Sequence, residues 1–422
     1  MEDADGVIRR FVPCHYNTIV EVCEGVKIRF TDIGHLLGSA SIEVWLTEDG
    51  NTKKIVFSGD IGNKHQPLLK DPTPTKEADY VVMESTYGDR LHPKDKLDYV
   101  AELTKVLQET LDRGGNVVIP SFAVGRTQEI LYFLRKIKVG RLVKGHEDFP
   151  VYVDSPMAVE ATGVFQENRW ECFDDEAMEF VKEGINPIAF SGLKLSITSE
   201  ESKAINFDET PKVIISASGM CDAGRIRHHL KHNLWDPKSS VIFVGYQAEG
   251  TLGRMLTEGQ KDVVLFGEAV HVNAEIYNLE GFSGHADKEG LLGWLSGFKV
   301  KPKQLFLVHG ELESKEALAA SIRERLGYDP VVVTGVSEFE LNKTEIVSKE
   351  EIYEDAIDNE AVEATKQRII EIHDQIENLL YNTGLVMGEK ISPEKMSRIN
   401  DLVLALQKDS LNLGSVITSD ND

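Results

Sequence analysis

The sequence predicts an α/β protein with a doubly wound parallel sheet, on three observations. Short apolar segments recur through the middle of the chain, each followed by a loop and a stretch of helical spacing. Ahead of them lies a group of strand-like segments, two of which are joined by a hairpin turn. And several His, Asp and Glu residues stand beside Gly or Ser, most of them directly after an apolar run, where a loop leaving a buried strand opens into a cleft.

Taken in order, Val26 to Asp32, Ser41 to Leu46 and Lys54 to Phe57 read as strands, with Glu48-Asp49-Gly50-Asn51 turning the last two into a hairpin. Tyr80 to Met83 is an apolar strand ending at Glu84. Leu97, Val100, Leu103, Val106, Leu107 and Leu111 then fall at helical spacing, closed by Gly114-Gly115. Strands at Asn116 to Pro120, Val151 to Val153, Val213 to Ser216 and Ser240 to Gly245 follow, each succeeded by a helical stretch, and together predict one unit over 92–268. Short strands and helices return over 269–346 and carry His285 and His309. In the tail, 347–422, Ile369, Ile372, Ile376 and Leu379 share one helical face. After Ser392-Pro393, Met396, Ile399, Leu402, Val403 and Leu406 share another, so the tail predicts a helical hairpin. That hairpin suits either a homodimer contact or a cover for the preceding domain.

Composition narrows the function classes. A length of 422 residues allows two or three domains, and 41% apolar with 27% charged residues is ordinary for a soluble globular chain. The net charge of −24 argues against a protein that coats nucleic acid through bulk positive charge, while leaving room for one local basic groove. Cys14, Cys23, Cys172 and Cys221 are scattered and read as reduced thiols of a cytoplasmic protein. No apolar run approaches the ~20 residues that span a bilayer.

Four segments carry the chemistry: Gly34-His35-Leu36-Leu37-Gly38-Ser39, Ser58-Gly59-Asp60-Ile61-Gly62, Ser283-Gly284-His285-Ala286-Asp287 and Val308-His309-Gly310-Glu311. Neutral imidazoles and a carboxylate able to bridge two cations suit a metal site that activates water against a phosphate. Glu84, in Met83-Glu84-Ser85-Thr86, is a carboxylate able to keep a neighbouring imidazole protonated as a general acid. Three loops suit an anion through small residues and helix N-termini: Ser121-Phe122-Ala123-Val124-Gly125-Arg126, Asp154-Ser155-Pro156, and Ser218-Gly219-Met220 with Arg225. Ordinary helix capping accounts for each of them equally well. His228-His229 reads as a surface pair on a helix.

Together these segments, with Gly245-Tyr246-Gln247 and Gly250-Thr251-Leu252-Gly253 between them, resemble the metallo-β-lactamase superfamily in its β-CASP branch of RNA-processing nucleases, from about Phe11 to about Thr334. The resemblance implies a partial αββα sandwich (1–91 and 269–346) with an inserted Rossmann-like β-CASP domain (92–268) and a helical tail. By the same resemblance, His35 and His309 are ligands of two zincs, Asp60 bridges them, and Glu84 with His285 forms the acid pair that assists the leaving oxygen. Ser121, Arg126, Ser155, Ser218, Gly219 and Arg225 belong to the face that closes over single-stranded RNA. The implied reaction is zinc-dependent phosphodiester hydrolysis.

The family's His-x-His-x-Asp-His segment does not occur in this chain, in which 34 residues precede His35. The four zinc ligands of that segment are therefore absent, and weak zinc binding with inefficient hydrolysis is the expectation. The expected domain is truncated at its N-terminus, with apolar strand surface left open. A non-catalytic RNA-binding or scaffold subunit is the competing reading. A small-molecule hydrolase and a DNA nuclease fit the inserted unit and the His285 segment less well.

Overall fold

The computed structural model describes residues 6–92, 98–279 and 283–341. Strands β1 (Ile19–Cys23), β2 (Val26–Asp32), β3 (Ala40–Glu48) and β4 (Asn51–Phe57) form an antiparallel meander, and β5 (Tyr80–Met83) lies parallel to β4. The predicted β3–β4 turn is present. Asp49 (φ 50°) and Gly50 (φ 76°) both take positive φ, and Glu48 pairs with Asn51. Two successive positive-φ residues match the twist of the flanking strands, which fixes the register. Strand β1 has no counterpart among the sequence expectations: its burial is slight, so no apolar alternation marks it.

The chain then builds a second sheet: α1 (Tyr99–Asp112), β6 (Val117–Pro120), α2 (Arg126–Val139), β7 (Val151–Asp154), α3 (Pro156–Glu167), α4 (Arg169–Cys172), α5 (Asp175–Lys182), β8 (Leu193–Ser196), α6 (Ser199–Phe207), β9 (Val213–Ser216), α7 (Ile226–Asn233), β10 (Ser240–Phe243) and α8 (Leu252–Thr257). A hairpin of β11 (Asp262–Leu265) and β12 (Glu268–His271) precedes β13 (Glu275–Asn278). Six strands join in the order β13-β10-β6-β9-β7-β8, all parallel. Strands β6, β9 and β10 are buried along their whole length, as a sheet covered by helices on both faces requires. Val117, Ile119, Ile215 and Ile242 pack to one side, and Val118, Ile214, Val241 and Phe243 to the other. Beyond residue 268, β13 hydrogen-bonds along β10 and carries the sheet through Asn278.

Helix α9 (Lys288–Leu295), β14 (Gln304–Leu307), α10 (Leu312–Leu326) and β15 (Val331–Val332) return to the first sheet, whose order is β1-β2-β3-β4-β5-β14-β15. On one face Val56, Val81, Met83, Leu305 and Leu307 pack against Leu291, Leu295, Leu318 and Ile322 of α9 and α10. On the other, Ile55, Tyr80 and Phe306 meet Phe339 and Leu341. Further along that second face Leu46 and Phe57 stay 37% and 41% exposed.

The expected surface pair His228 and His229 is corrected by the fold. His229 is fully buried against Asp154 and Asn206, and His228 is nearly so, stacked on the Phe266 ring. The predicted tail hairpin lies outside the described residues. Among the described residues no helix is long and apolar enough to cross a membrane.

Candidate metal centre

The hub is the loop from Asp60 to Asn63, which leaves β4. Gly62 lies so close to Gly34 that a Cβ there would sit 2.2 Å from the Gly34 carbonyl, so the two loops touch backbone to backbone. Gly34 itself has φ 65°, a left-handed conformation that glycine adopts without strain. On its other edge the hub pairs with His285 through Gly62, with Ala286 N donating to Ile61 O at 2.7 Å and Asn63 N to Gly284 O at 2.8 Å. Three segments far apart in sequence thereby bring His35, Asp60 and His285 together.

The ligand atoms of these three residues lie within 4.8 Å of one another. His35 Nε2 stands 3.9 Å from Asp60 Oδ2, and the His35 and His285 rings are 4.4 Å apart. His309, following β14, takes φ 44° and places Nε2 3.5 Å from Asp60 Oδ1, with its side chain 62% exposed. The closest geometric group is thus His35, Asp60 and His285, with His309 on the rim.

Glu84 ends β5 and is almost wholly buried. Its Oε1 accepts from Ile61 N at 2.5 Å and its Oε2 from Thr86 Oγ1 at 2.6 Å. His285 Nδ1–H donates to the same Oε1 at 3.4 Å. Burial raises the Glu84 carboxyl pKa, but the hydrogen bond and charge of His285, with Thr86 and the Ile61 N–H, hold it below the usual carboxylate range. Burial lowers the His285 pKa, and its bond to Glu84 more than offsets this, so it is raised. His35 moves the other way, lowered by burial and by His285 beside it. One imidazole favours the protonated form and its neighbour the neutral, ligating form.

Sequence reasoning missed two contributors. Thr86 orients the carboxylate, and the short spacing Glu84-x-Thr86 was its only signal. His92 donates from Nε2 to the His285 carbonyl at 3.0 Å, while its backbone N–H binds Asp287 Oδ2 at 2.9 Å. No local pattern marks that role.

The donor set fits a divalent cation in part. The 4.8 Å spread is somewhat wider than the roughly 3–3.5 Å between donors bound at about 2.0–2.2 Å around a tetrahedral ion. The chemistry of the set, two imidazoles with a carboxylate, nonetheless suits such an ion, and His35 turns Nε2 towards Asp60.

The three loops of the inserted unit sit at the carboxyl ends of β6, β7 and β9. Ser121 Oγ accepts from Thr127 Oγ1 at 3.1 Å, and Ser155 Oγ caps α3 by accepting from Ala158 N at 3.3 Å. Arg126 forms an ion pair with buried Glu129. Arg225 binds Asp154 Oδ1 at 2.8 Å and Ile197 O at 2.6 Å. Ser218 Oγ is buried without a hydrogen-bond partner, and Gly219 lies under the Phe122 ring. Asp154 also accepts from His229 Nε2 at 2.7 Å and Ser202 Oγ at 2.5 Å. Although burial raises its pKa, these partners hold Asp154 at about 2. Both arginines singled out for phosphate contact are therefore engaged by internal carboxylates.

The Beta-Casp domain model matches residues 127–256, and the model of the Zn-dependent metallo-hydrolase RNA specificity domain matches 269–333. A ribonuclease of Thermus thermophilus is 38% identical over 319 residues, 75% of this chain and 70% of that protein. An RNase J-like protein of Methanocaldococcus jannaschii is 34% identical over 329 residues, 77% of this chain and 73% of its own length. The transcription termination factor FttA of the same organism is 34% identical over 326 residues, and the match spans 74% of this chain and 49% of that factor. With a mixed seven-stranded sheet, an all-parallel six-stranded sheet, a His–Asp cluster on the loops of the first, and this degree of identity, the chain belongs to the β-CASP nucleases of the metallo-β-lactamase superfamily.

Proposed function

We propose that this chain carries the phosphodiester-cleaving centre of a metal-dependent ribonuclease acting on single-stranded RNA. The observation that carries the reading is the Glu84–His285 couple, its carboxylate buried and its imidazole partly open, set against His35 and Asp60 with three ligand atoms within 4.8 Å. The names of the relatives support RNA as the substrate. In this reading His35, Asp60 and His309 hold the metal, which when bound would polarise the phosphate and activate the attacking water. His285 keeps a proton at Nε2 for the departing oxygen, because Glu84 occupies Nδ1 and stabilises the cation. Thr86 and the Ile61 N–H hold Glu84 in place, so the proton donor is preorganised.

A second reading, a non-catalytic RNA-binding subunit, shares the three-residue cluster among the described residues, which falls short of a closed zinc site. Incubating the purified chain with labelled single-stranded RNA across a zinc titration separates the two. Cleavage that rises with zinc and disappears in Glu84→Gln and His35→Ala supports the nuclease. Binding without cleavage at saturating zinc supports the subunit.

A further inference from the structure

The loops at the carboxyl ends of the inserted sheet carry exposed apolar side chains. Past the ends of β10, β6 and β7, Tyr246 is 54% exposed, Phe122 47%, Val124 39% and Met157 65%. Over the same edge the arginines are engaged: Arg126 with Glu129, Arg225 with Asp154, and Arg254 with Glu258. The edge therefore has π and apolar surface to offer where phosphate recognition would need open cations.

That surface is held in place. A Cβ on Gly219 would meet Phe122 Cδ2 at 3.0 Å and Cε2 at 3.1 Å, so one part of the ring rests on the glycine. Gln247 Nε2 donates to Gly219 O at 3.1 Å and to Gly245 O at 3.2 Å, which ties the Tyr246 loop to the same glycine. The surface also continues into the metal centre. Leu36, next to His35, reaches to within 2.5 Å of where a Cβ on Gly125 would stand. An exposed ring fixed on backbone loses little freedom on binding, and every base has a π face to place on it.

We infer that Phe122 and Tyr246 form a stacking platform for unpaired nucleobases of the strand whose phosphodiester lies at His35 and Asp60. The inserted unit then reads the faces of bases more than their phosphates. Duplexes, whose bases are already stacked, are excluded. The inference rests on the nucleic-acid reading above, and names the part of the ligand that the inserted unit holds.

The test is binding of the metal-free full chain to a 5′-labelled single-stranded RNA decamer, by fluorescence anisotropy in chelator. Each aromatic–base contact is worth about 10- to 100-fold in affinity. Phe122→Ala with Tyr246→Ala should weaken binding by at least that factor, and Phe122→Trp should keep it within about threefold. An abasic decamer should bind the native chain as weakly as the intact decamer binds the double variant, with no further loss when the two changes are combined. Unfolding midpoints of the variants guard against misfolding. The inference is overturned if the double variant binds within twofold of the native chain, if abasic and intact decamers bind alike, or if the native chain binds no RNA. Base-dependent binding without cleavage at any metal concentration sinks the nuclease reading and leaves the platform standing. Cleavage unaffected by the double variant does the reverse.

Discussion

Among the described residues, a carboxylate–imidazole couple stands at a strand end in each of the two large sheets. Asp154, at the end of β7, meets His229 at 2.7 Å, and neither side chain has any solvent exposure. Glu84, just past β5, meets His285 at 3.4 Å, and the imidazole keeps 23% of its exposure. The first couple is closed on all sides by Ser202, Asn206 and Arg225. The second opens on His35 and Asp60. The same pair of residue types therefore serves as an internal brace in one sheet and faces a reaction site in the other, and access separates them, not chemistry.

The contrast can be broken most severely at Asp154. Asp154→Ala leaves His229 and Arg225 without their anion and should cost about 3–5 kcal/mol of stability, read from urea unfolding. Glu84→Gln keeps an acceptor for the Ile61 N–H and should cost only about 1–2 kcal/mol. On the proposed function it nonetheless slows RNA cleavage by about 10²–10⁴-fold. Equal destabilisation by the two variants would remove the distinction between brace and site.

Metal binding offers the next test. His35→Ala should weaken cobalt or zinc binding by more than the roughly 10–100-fold that outer partners of a ligand command. His309→Ala should weaken it less, because His309 stands on the exposed rim. The sequence reading pairs His35 and Asp60 with His309, whereas the nearest spatial group contains His285. A larger loss in His285→Ala than in His309→Ala would move His285 from proton donor to ligand.

The couples should also divide the pH dependence of stability. Asp154 is depressed from 3.8 to about 2, so its contribution is present above 3.8 and is lost as pH falls towards 2. That acid limb, worth roughly 2 kcal/mol, should flatten in Asp154→Asn. Glu84 is depressed from 4.5, so its share is present above 4.5 and lost on acidification. His285 is raised from 6.5, so its share is complete below 6.5 and lost as pH rises through the raised value. The open couple thus stabilises most between 4.5 and 6.5. A His285→Gln chain should lose the fall on the alkaline side, checked by unfolding midpoints across pH.

The smallest effect belongs to His92. His92→Ala removes one hydrogen bond to the His285 carbonyl and should slow cleavage about fivefold, while His92→Gln, which can restore the donor, should recover most of it.

Much of the fold was legible in the sequence. Strands β2 and β5 have the predicted limits, β9 likewise, and the Asp49-Gly50 turn closes the predicted hairpin. These features depend on side-chain alternation and on backbone preferences of adjacent residues, which the sequence displays directly. The placement of His35, Asp60, Glu84, His285 and His309 after strands or in loops was legible for the same reason. The sheet to which β13 belongs was not, because four residues of mixed polarity carry no mark of their neighbour.

What the sequence determined by itself is therefore local: where strands start and stop, where the chain can turn, and which polar residues leave the strand ends. Tertiary structure decided which of those residues meet and which are reached by solvent. Glu84 and His285 are 201 positions apart, and Asp154 and His229 are 75 apart. The burial of His229 and the engagement of Arg126 and Arg225 follow from how helices close over the second sheet. Pairing and burial belong to surfaces brought together by the whole packed chain, whereas periodicity belongs to neighbours along it.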